Sequence, residues 1–446
     1  MNRRLYALAM PMAFGLAAFA GPAAGEDLLQ IYREAQQNDP TIAAAKYAWV
    51  AAQEKLPQAR AGLLPNAQVV GNANYNNYEA NIRNDAADSL SRNFGFASAT
   101  VSASQPLYRK QNSVAVDQAQ VFVTQADYSL SVAQQDLILR VAIAYFDVLL
   151  AQINIELNNS QKVAVSEQLA LAKRNFEVGV ATITDTNEAE AKYDSIVAQE
   201  ITTQNDYDNR VTALRAIIGR YPGDLKRVGK EFQPQLPQPS QLDYWVDKAI
   251  KENLNVRIAQ SNYDIAVLEV ERAKAANYPT LDLVGSYNGQ GSNGSVSSGV
   301  TSYSRLGQIG IQVAVPLYTG GFNSSKIREA IALQDRSRQD LEGARRAALF
   351  LGQTGYTGVT SAAASVKAFQ QALVSAEVAL QSNKLGFEVG IRTNLDVLNV
   401  QQNVYSTGRD LADAYFKYVI GLLRLKQAVG TLSEQDVEEI NRQLKG

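Results

Sequence analysis

Two short segments place a threonine and an aspartate at the same spacing. Each has the pattern Gly-x-x-Thr-x-x-Asp, which ends once at Asp185 and once at Asp396. A threonine followed three residues later by an acid is a capping box: the carboxylate accepts a hydrogen bond from the backbone N–H of the cap and complements the helix dipole. For Asp185 capping alone is as good an explanation as a functional role, so both interpretations stay open.

The chain lacks the side chains on which most catalytic and metal chemistry depends. None of its 446 residues is histidine or cysteine, which removes the commonest general base, the commonest metal ligand and every thiolate. A glycosidase needs only two carboxylates, but the repeated pattern places acids at helix ends rather than as a pair in a concave site. The sequence therefore predicts no enzyme, no cofactor and no metal. With 42 basic and 44 acidic residues the net charge is −2, and nothing in this balance favours nucleic acid as a partner.

The N-terminus has the three parts of a secretory signal peptide. Arg3 and Arg4 precede an apolar run, and small residues follow it up to Gly25, which predicts cleavage there and a mature chain beginning at Glu26. An uncleaved anchor is the alternative, but the run contains Pro11 and is barely long enough to span a bilayer. Without cysteine there is neither a disulfide nor a lipid anchor on an N-terminal cysteine. After this segment no stretch approaches about 18 uninterrupted apolar residues, so any membrane insertion is expected to use β-strands.

The rest of the chain contains one structural unit twice. Residues 112–219 align without a gap on residues 323–430, and Phe-Glu-Val-Gly occurs at the same place in both. Chance is a poor explanation, because many matched positions are Gly, Pro or Asp, which have specific backbone duties. A proline-rich stretch separates the two copies. The resulting domains are a signal peptide (1–25), a first repeat (26–220), a linker (221–243), a second repeat (244–430) and a C-terminal tail (431–446).

Each repeat is predicted to open with a helix. In the first repeat Asp39 is the expected N-cap and Pro40 the first helical residue, and the helix should run to about Gly62 with a kink at Pro57. Its counterpart should extend over about 255–277.

Strict alternation of apolar or small residues with polar ones then predicts two strands in each repeat. The strands should be about ten residues long, enough to cross a membrane when tilted. Long polar loops are expected at 77–93 and 289–305. The four alternating segments are 67–76, 97–104, 281–288 and 308–315.

Two long proline-free segments, 112–219 and 323–430, predict helical hairpins that break at Gly179 and Gly390. Residues 112–176 as one helix would be roughly 100 Å long, so such a rod needs neighbours. The last helix repeats an apolar residue every seven positions, which is typical of coiled-coil packing but equally of an isolated hairpin. This stripe consists of Val397, Val404, Leu411, Tyr418 and Leu425.

The strands are better explained by a membrane barrel than by a soluble sheet with one wet face. Their polar positions are Asn, Ser, Thr and Gln rather than charged residues, and aromatic residues gather near the strand ends, as in aromatic girdles. These aromatics are Tyr75, Tyr78, Phe94, Phe96, Tyr108, Tyr287, Tyr303 and Tyr318. Four strands cannot close a barrel, and an open edge is not tolerated in lipid, so several chains must share one barrel.

The order helix, β-hairpin, long helix, Val-Gly-x-x-Thr-x-x-Asp turn and helix, given twice behind a signal peptide, resembles the TolC family of outer membrane efflux and secretion channels. The resemblance covers essentially the whole mature chain, including the ending 430–436. It implies an α+β membrane protein: a homotrimer whose four transmembrane strands per chain form a shared twelve-strand β-barrel, continued by a long periplasmic α-helical barrel. The rival interpretation is a periplasmic coiled-coil adaptor or structural protein, against which the four amphipathic strands argue.

The resemblance also implies a location and partners. The barrel would lie in the lipid of the outer membrane and the helical tunnel in the periplasm. A periplasmic adaptor, or membrane fusion protein, would dock at the tunnel tip and connect it to an inner-membrane ABC or proton-driven transporter. The channel would then export proteins by type I secretion, small molecules by efflux, or both. The docking residues would be Val178, Gly179, Thr182, Val389, Gly390 and Thr393.

The resemblance further implies a charged constriction at the periplasmic entrance. Asp396 would lie on the innermost helix and form a ring of three carboxylates in the trimer. Channels of this kind often carry a second aspartate three residues later, where this chain has Asn399. The constriction is therefore expected to be less acidic than usual.

A restraint on the closed tip is implied as well. Arg392 matches the family's arginine that ties neighbouring helices near Thr184 and Asp185. Phe387 stands where such channels supply a tyrosine hydroxyl, so that hydrogen bond cannot form here. Arg392 is therefore expected to bear more of the restraint.

Overall fold

The computed structural model describes residues 25–81, 89–228, 233–296, 299–442 and 444–445. Apart from Gly25, the predicted signal peptide lies outside the described residues. The first half contains α1 (Leu28–Asn38), α2 (Pro40–Gln53), α3 (Lys55–Ala61), β1 (Asn66–Asn81), β2 (Ser89–Tyr108), α4 (Lys110–Glu177), α5 (Ile183–Ile218) and β3 (Arg227–Val228). The second half contains α6 (Leu242–Glu252), α7 (Leu254–Ala275), β4 (Thr280–Ser292), β5 (Ser302–Ala314), α8 (Phe322–Glu388), α9 (Asn394–Ala428), α10 (Glu434–Asn441) and β6 (Leu444–Lys445). Each half thus follows the predicted order of opening helix, β-hairpin and long helical hairpin, but in each half a further helix that was not predicted, α1 or α6, precedes the predicted one.

The opening helices begin and break where the sequence predicts. Asp39 caps α2 by accepting a hydrogen bond of 2.9 Å from the backbone N–H of Ile42, and Pro40 is the first helical residue. The helix breaks at Glu54, between α2 and α3. Pro57 has no N–H to donate to the carbonyl four residues before it, so the predicted kink is confirmed just upstream of this proline.

Asp39 also anchors α2 to the long helix α4. Its side chain is only 3% exposed, and the Arg140 guanidinium lies 2.9 Å from one carboxylate oxygen. Burial opposes ionisation of Asp39, but hydrogen bonds from Arg140 and from the backbone outweigh it and hold the pKa of this carboxyl below its ordinary value. The carboxylate is therefore charged, capped and paired at neutral pH.

The four long strands form one antiparallel sheet in the order β1-β2-β4-β5. They are 16, 20, 13 and 13 residues long, so the predicted length of about ten was too short. Much of the predicted loops 77–93 and 289–305 is strand, with Asn81 paired to Ser89 and Ser292 to Ser302. Backbone groups pair whatever the side chains are, so polar residues extend these strands beyond the alternating segments.

The two faces of the sheet differ in exposure. From Phe96 to Ser104 on β2 the even-numbered residues such as Ser98 and Thr100 are half-buried, and the odd-numbered ones such as Val101 are exposed. The register places Tyr75 and Tyr287 on the same exposed face as Val101. Apolar residues on the open face and polar ones on the sheltered face are the pattern of a strand between lipid and lumen.

Three of the predicted girdle aromatics lie on the other face. Phe94 pairs with Asn76, Phe96 with Asn74, and Tyr78 with Arg92, all at positions that share the face of Ser98. These three rings therefore do not share the exposed face of Tyr75 and Tyr287. Composition near a strand end does not determine the face; the register does.

The long helices form two antiparallel hairpins, α4 with α5 and α8 with α9. At 68 residues α4 is roughly 100 Å long at 1.5 Å per residue. The two breaks contain Gly179 and Gly390 with φ of 80° and 79°, as the helix-stop pattern predicts. In the seven-residue stripe of α9, Val397, Tyr418 and Leu425 are buried, which confirms its role in packing.

The main hydrophobic core lies midway along the helices and joins α1, α4, α5, α8 and α9. Tyr145 and Phe146 on α4 are its largest fully buried side chains, and the Phe146 ring lies 5.3 Å from that of Phe416. Among the described residues, α4 is the one helix long and apolar enough to cross a bilayer, with a window of mean hydropathy 1.6. Half of that window is buried within the chain, so core packing accounts for its apolar composition.

Candidate functional site

The ends of the two helical hairpins have the same backbone geometry. In the first, the N–H of Val180 donates to the carbonyl of Asn175 at 2.9 Å; in the second, the N–H of Ile391 donates to the carbonyl of Gly386 at 2.9 Å. The glycine between them adopts the left-handed conformation in each case, which closes the preceding helix. The repeated sequence therefore builds two equivalent tips.

Both predicted capping boxes are present. The Asp396 carboxylate accepts hydrogen bonds from the backbone N–H and the hydroxyl of Thr393, each at 2.9 Å, and the N–H of Asp396 donates to that hydroxyl at 3.1 Å. Asp185 and Thr182 make the same three contacts at 2.9, 2.7 and 3.2 Å. Capping is thus established for both aspartates, while a further role depends on what else they face.

The cap also determines the charge of Asp396. The hydrogen bonds from the Thr393 backbone and hydroxyl, with the positive charge of Arg392 nearby, hold the pKa of this carboxyl below its ordinary value. Asp396 is therefore ionised at neutral and mildly acidic pH. Within the described parts of the chain, no cluster of three acidic side chains comes close enough to hold a metal ion.

The two tips meet at a cleft of about 620 Å³. Three residues predicted to act at the gate, Asp185, Phe387 and Arg392, line this cleft together. Two of the predicted docking residues, Gly390 and Thr393, also line it. The first hairpin contributes Gln168, Leu171, Ala172, Asn175, Val180, Ala181 and Asp185, and the second contributes Lys384, Phe387, Glu388, Gly390, Arg392, Thr393, Asn394 and Val397.

The other predicted residues do not line the cleft: Asp396 is half-buried in the first turn of α9, and the rest are exposed on the tips. Val178 and Val389, at equivalent positions, are 67% and 63% exposed. Gly179, Thr182, Thr184 and Asn399 are also exposed. The two turns therefore each present an apolar side chain to solvent at the same position.

Arg392 crosses the second tip against Gly386. A Cβ atom on this buried glycine would lie 2.7 Å from the Cγ of Arg392, so only glycine accommodates the side chain here. Among the described residues, Arg392 makes no ion pair with Asp185 and no hydrogen bond with Thr184 within one chain. A single chain therefore does not form the predicted restraint.

Sequence reasoning missed a set of buried amides beside the cleft. Asn394, at the first position of α9, is 5% exposed, and neither its amide nitrogen nor its amide oxygen has a hydrogen-bond partner; the oxygens of Gln168 and Gln401 are also buried and unpaired. Each such atom costs about 1–3 kcal/mol. A signal was available, because Asn394 precedes Val397 and Leu398 by three and four residues and so shares their buried face.

The sequence profile of one family, described as outer membrane efflux protein, matches residues 31–220 and 245–431. Outer membrane protein TolC of Vibrio cholerae serotype O1 is 34% identical over 422 residues, covering 94% of each chain. Outer membrane protein TolC of Escherichia coli strain K12 is 31% identical over 98% of this chain and 89% of its own. The proteases secretion protein PrtF of Dickeya chrysanthemi is 30% identical over 95% of this chain and 92% of its own.

Solved structures show the same fold at lower identity. CusC superposes with a TM-score of 0.76 at 16% identity, over 96% of this chain and 98% of its own. VceC of Vibrio cholerae superposes with a TM-score of 0.73 at 20% identity, over 90% of this chain and 96% of its own.

Proposed function

The chain belongs to the outer membrane efflux protein family, and we propose that its paired helical tips are both the docking surface and the gate of an export channel. Like its relatives, the protein is an outer-membrane transport protein with a periplasmic helical tunnel, and it is not an enzyme. Channels of this family are trimeric and work with efflux or secretion complexes. The cleft that brings Asp185, Phe387 and Arg392 together carries the proposal.

The proposed partners are a periplasmic adaptor and an inner-membrane ABC or proton-driven transporter. The adaptor would contact the exposed apolar side chains Val178 and Val389 and the turn residues around them: Gly179, Thr182, Gly390 and Thr393. Its support is the exposure of these residues on two equivalent turns. Relatives named for protease secretion and for efflux both match the chain, so the proposed cargo includes secreted proteins and small molecules.

Docking can be tested cleanly because the chain has no cysteine. A photo-crosslinker attached to Val389→Cys should form an adduct with the adaptor in intact cells, identified by mass spectrometry. Ile201→Cys is the matched control: it is 71% exposed but lies 18 residues into α5, roughly 27 Å from its start. Adducts of equal yield at both positions would show that the tip is not the docking surface.

The proposed gate consists of Arg392 as the restraint, acting on Thr184 and Asp185 of the assembled tip, with Asp396 and Asn399 setting the charge of the aperture. Phe387 lines the cleft without a hydroxyl, so it contributes packing only. Arg392→Ser removes a multi-donor guanidinium and should raise single-channel conductance in planar bilayers. The control is Arg409→Ser, since Arg409 is an exposed arginine farther along α9 that pairs with Asp410. Equal conductance of Arg392→Ser and wild type would show that Arg392 does not restrain the closed tip.

We also propose the domain boundaries given above, with signal cleavage after Gly25. The contacts of Glu26 support this cleavage site. The N–H of Glu26 donates to the Asp224 carbonyl at 2.6 Å. Its carboxylate accepts hydrogen bonds from Arg220 at 2.7 Å and from the N–H of Gly223 at 3.0 Å. Residues from Glu26 onward therefore belong to the folded structure. Intact mass of the purified protein tests the cut, and a mass that includes residues 1–25 would contradict it.

A further inference from the structure

The sheltered face of the sheet carries two phenylalanines among amides and hydroxyls. Phe94 lies opposite Asn76, and Phe96 lies between Asn74 on β1 and Ser292 on β4. Both rings are half-buried, whereas Tyr75, across from the glycine between them, is 77% exposed on the opposite face. A sheet that closes into a barrel shelters its inner face, so the two phenylalanines face the lumen.

This part of the sheet is held in place by the second β-hairpin. Gly95, between the two phenylalanines, donates its N–H to the Asn293 side-chain oxygen at 2.6 Å, and its carbonyl accepts from the N–H of Asn293 at 3.2 Å. The hydroxyl of Ser292 also donates to this carbonyl, at 3.0 Å. The strand segment that carries the rings is therefore fixed from both neighbouring strands, near the end of the sheet farthest from the helices.

A positive charge lies next to the rings on the same face. Arg92 is two residues before Phe94 on β2, opposite Tyr78. Its Nη1 atom is buried and has no hydrogen-bond partner. The same face of β2 thus carries an arginine and two phenylalanines, the residue types suited to an anionic group attached to an apolar or aromatic body.

We propose that Phe94, Phe96 and Arg92 form a binding site for aromatic anions in the outer part of the lumen, which cargo of this class contacts as it leaves the channel. In the trimer the site occurs three times around the axis. The apolar rings would contact the flat face of the anion while Arg92 pairs with its charge. The remaining lumen-facing residues nearby, such as Asn74 and Ser98, are uncharged, so the charge of the ligand is recognised at Arg92. The inference rests on the export-channel function.

The test uses 2-naphthalenesulfonate as the probe and methanesulfonate as the matched anion without a ring. Added to the outer side of channels in planar bilayers, naphthalenesulfonate should block the current at concentrations at which methanesulfonate does not. The double variant Phe94→Ser/Phe96→Ser and the single variant Arg92→Gln should each weaken block about tenfold or more. Tyr75→Ser, on the opposite face at the same height, is the control and should leave block unchanged.

Fluorescence titration of the same probe against the detergent-solubilised trimer measures binding without requiring conductance. A protein that binds no probe can therefore be told apart from a protein that does not conduct. Arg92→Gln keeps both rings, so the proposal stays testable if the double variant does not assemble. Equal block by the two anions, or equal naphthalenesulfonate binding by wild type and Arg92→Gln, would overturn the proposal.

Discussion

In the proposed gate, where Asp396 lines the periplasmic aperture, the charge of that aperture should titrate at an unusually low pH, because the same carboxylate is a helix cap. Asp396 accepts two hydrogen bonds from Thr393, and this cap holds its pKa below the ordinary carboxyl value of 3.8. A lowered pKa means that the charge is present above that value and is lost only as the pH falls through the lowered one. Cation preference of the channel should therefore persist below pH 3.8.

Two opposing effects set the pKa of the Asp396 carboxyl. The cap favours the ionised form, whereas three like charges around one axis would favour protonation and raise the pKa. Thr393→Val removes the hydroxyl, which costs the helix end about 0.5–2 kcal/mol, and leaves the backbone N–H as the remaining donor. The midpoint of cation preference should then move upward, toward the ordinary value.

The assay is the reversal potential of planar bilayers under a salt gradient, measured from neutral pH downward. Asp396→Asn should lose cation preference at every pH, because the amide keeps an acceptor for the cap but carries no charge. Asp185→Asn is the matched control: Asp185 makes the same three hydrogen bonds in the first tip. It should weaken its own cap equally and leave most of the selectivity in place.

Two results would refute this reasoning. A midpoint above 3.8 in the wild type would mean that repulsion within the ring outweighs the cap. Equal selectivity in Asp396→Asn and wild type would mean that Asp396 serves only as a helix cap.

Three further predictions follow from packing. Replacing Asn394 by leucine removes two buried unpaired polar atoms and should raise the free energy of unfolding by about 1–2 kcal/mol in denaturant titrations; a decrease would show that these atoms find partners in the assembled channel. Arg140→Met leaves the buried carboxylate of Asp39 without its counter-charge and should lower the free energy of unfolding by about 2–3 kcal/mol at neutral pH. In thermal unfolding measured at falling pH, the difference from wild type should shrink as Asp39 becomes protonated. Gly430→Ala should reduce the yield of folded trimer on size exclusion, because φ is 74° and a Cβ would clash with the backbone carbonyl oxygen of Glu252.

Local signals predicted most of the secondary structure. A threonine three residues before an aspartate, a glycine after a long helical stretch and a proline behind an aspartate each act within a few residues. For this reason the caps at Thr182 and Thr393 and the helix stops at Gly179 and Gly390 could be located from the sequence. Strand length was predicted less well, because ladder hydrogen bonds continue through polar residues that carry no alternating signal.

The sequence by itself determined the repeat, the order of elements in each copy, the two capped tips and the membrane character of the strands. Each of these depends on residue type and on spacing along one segment. The tertiary structure alone decided that Phe94 and Phe96 face the lumen, that the two tips enclose one cleft, and that Asn394 is buried without a partner. These properties depend on which segments come together: a shift of one residue in strand register reverses a face, and burial depends on neighbours that lie hundreds of residues away in the chain.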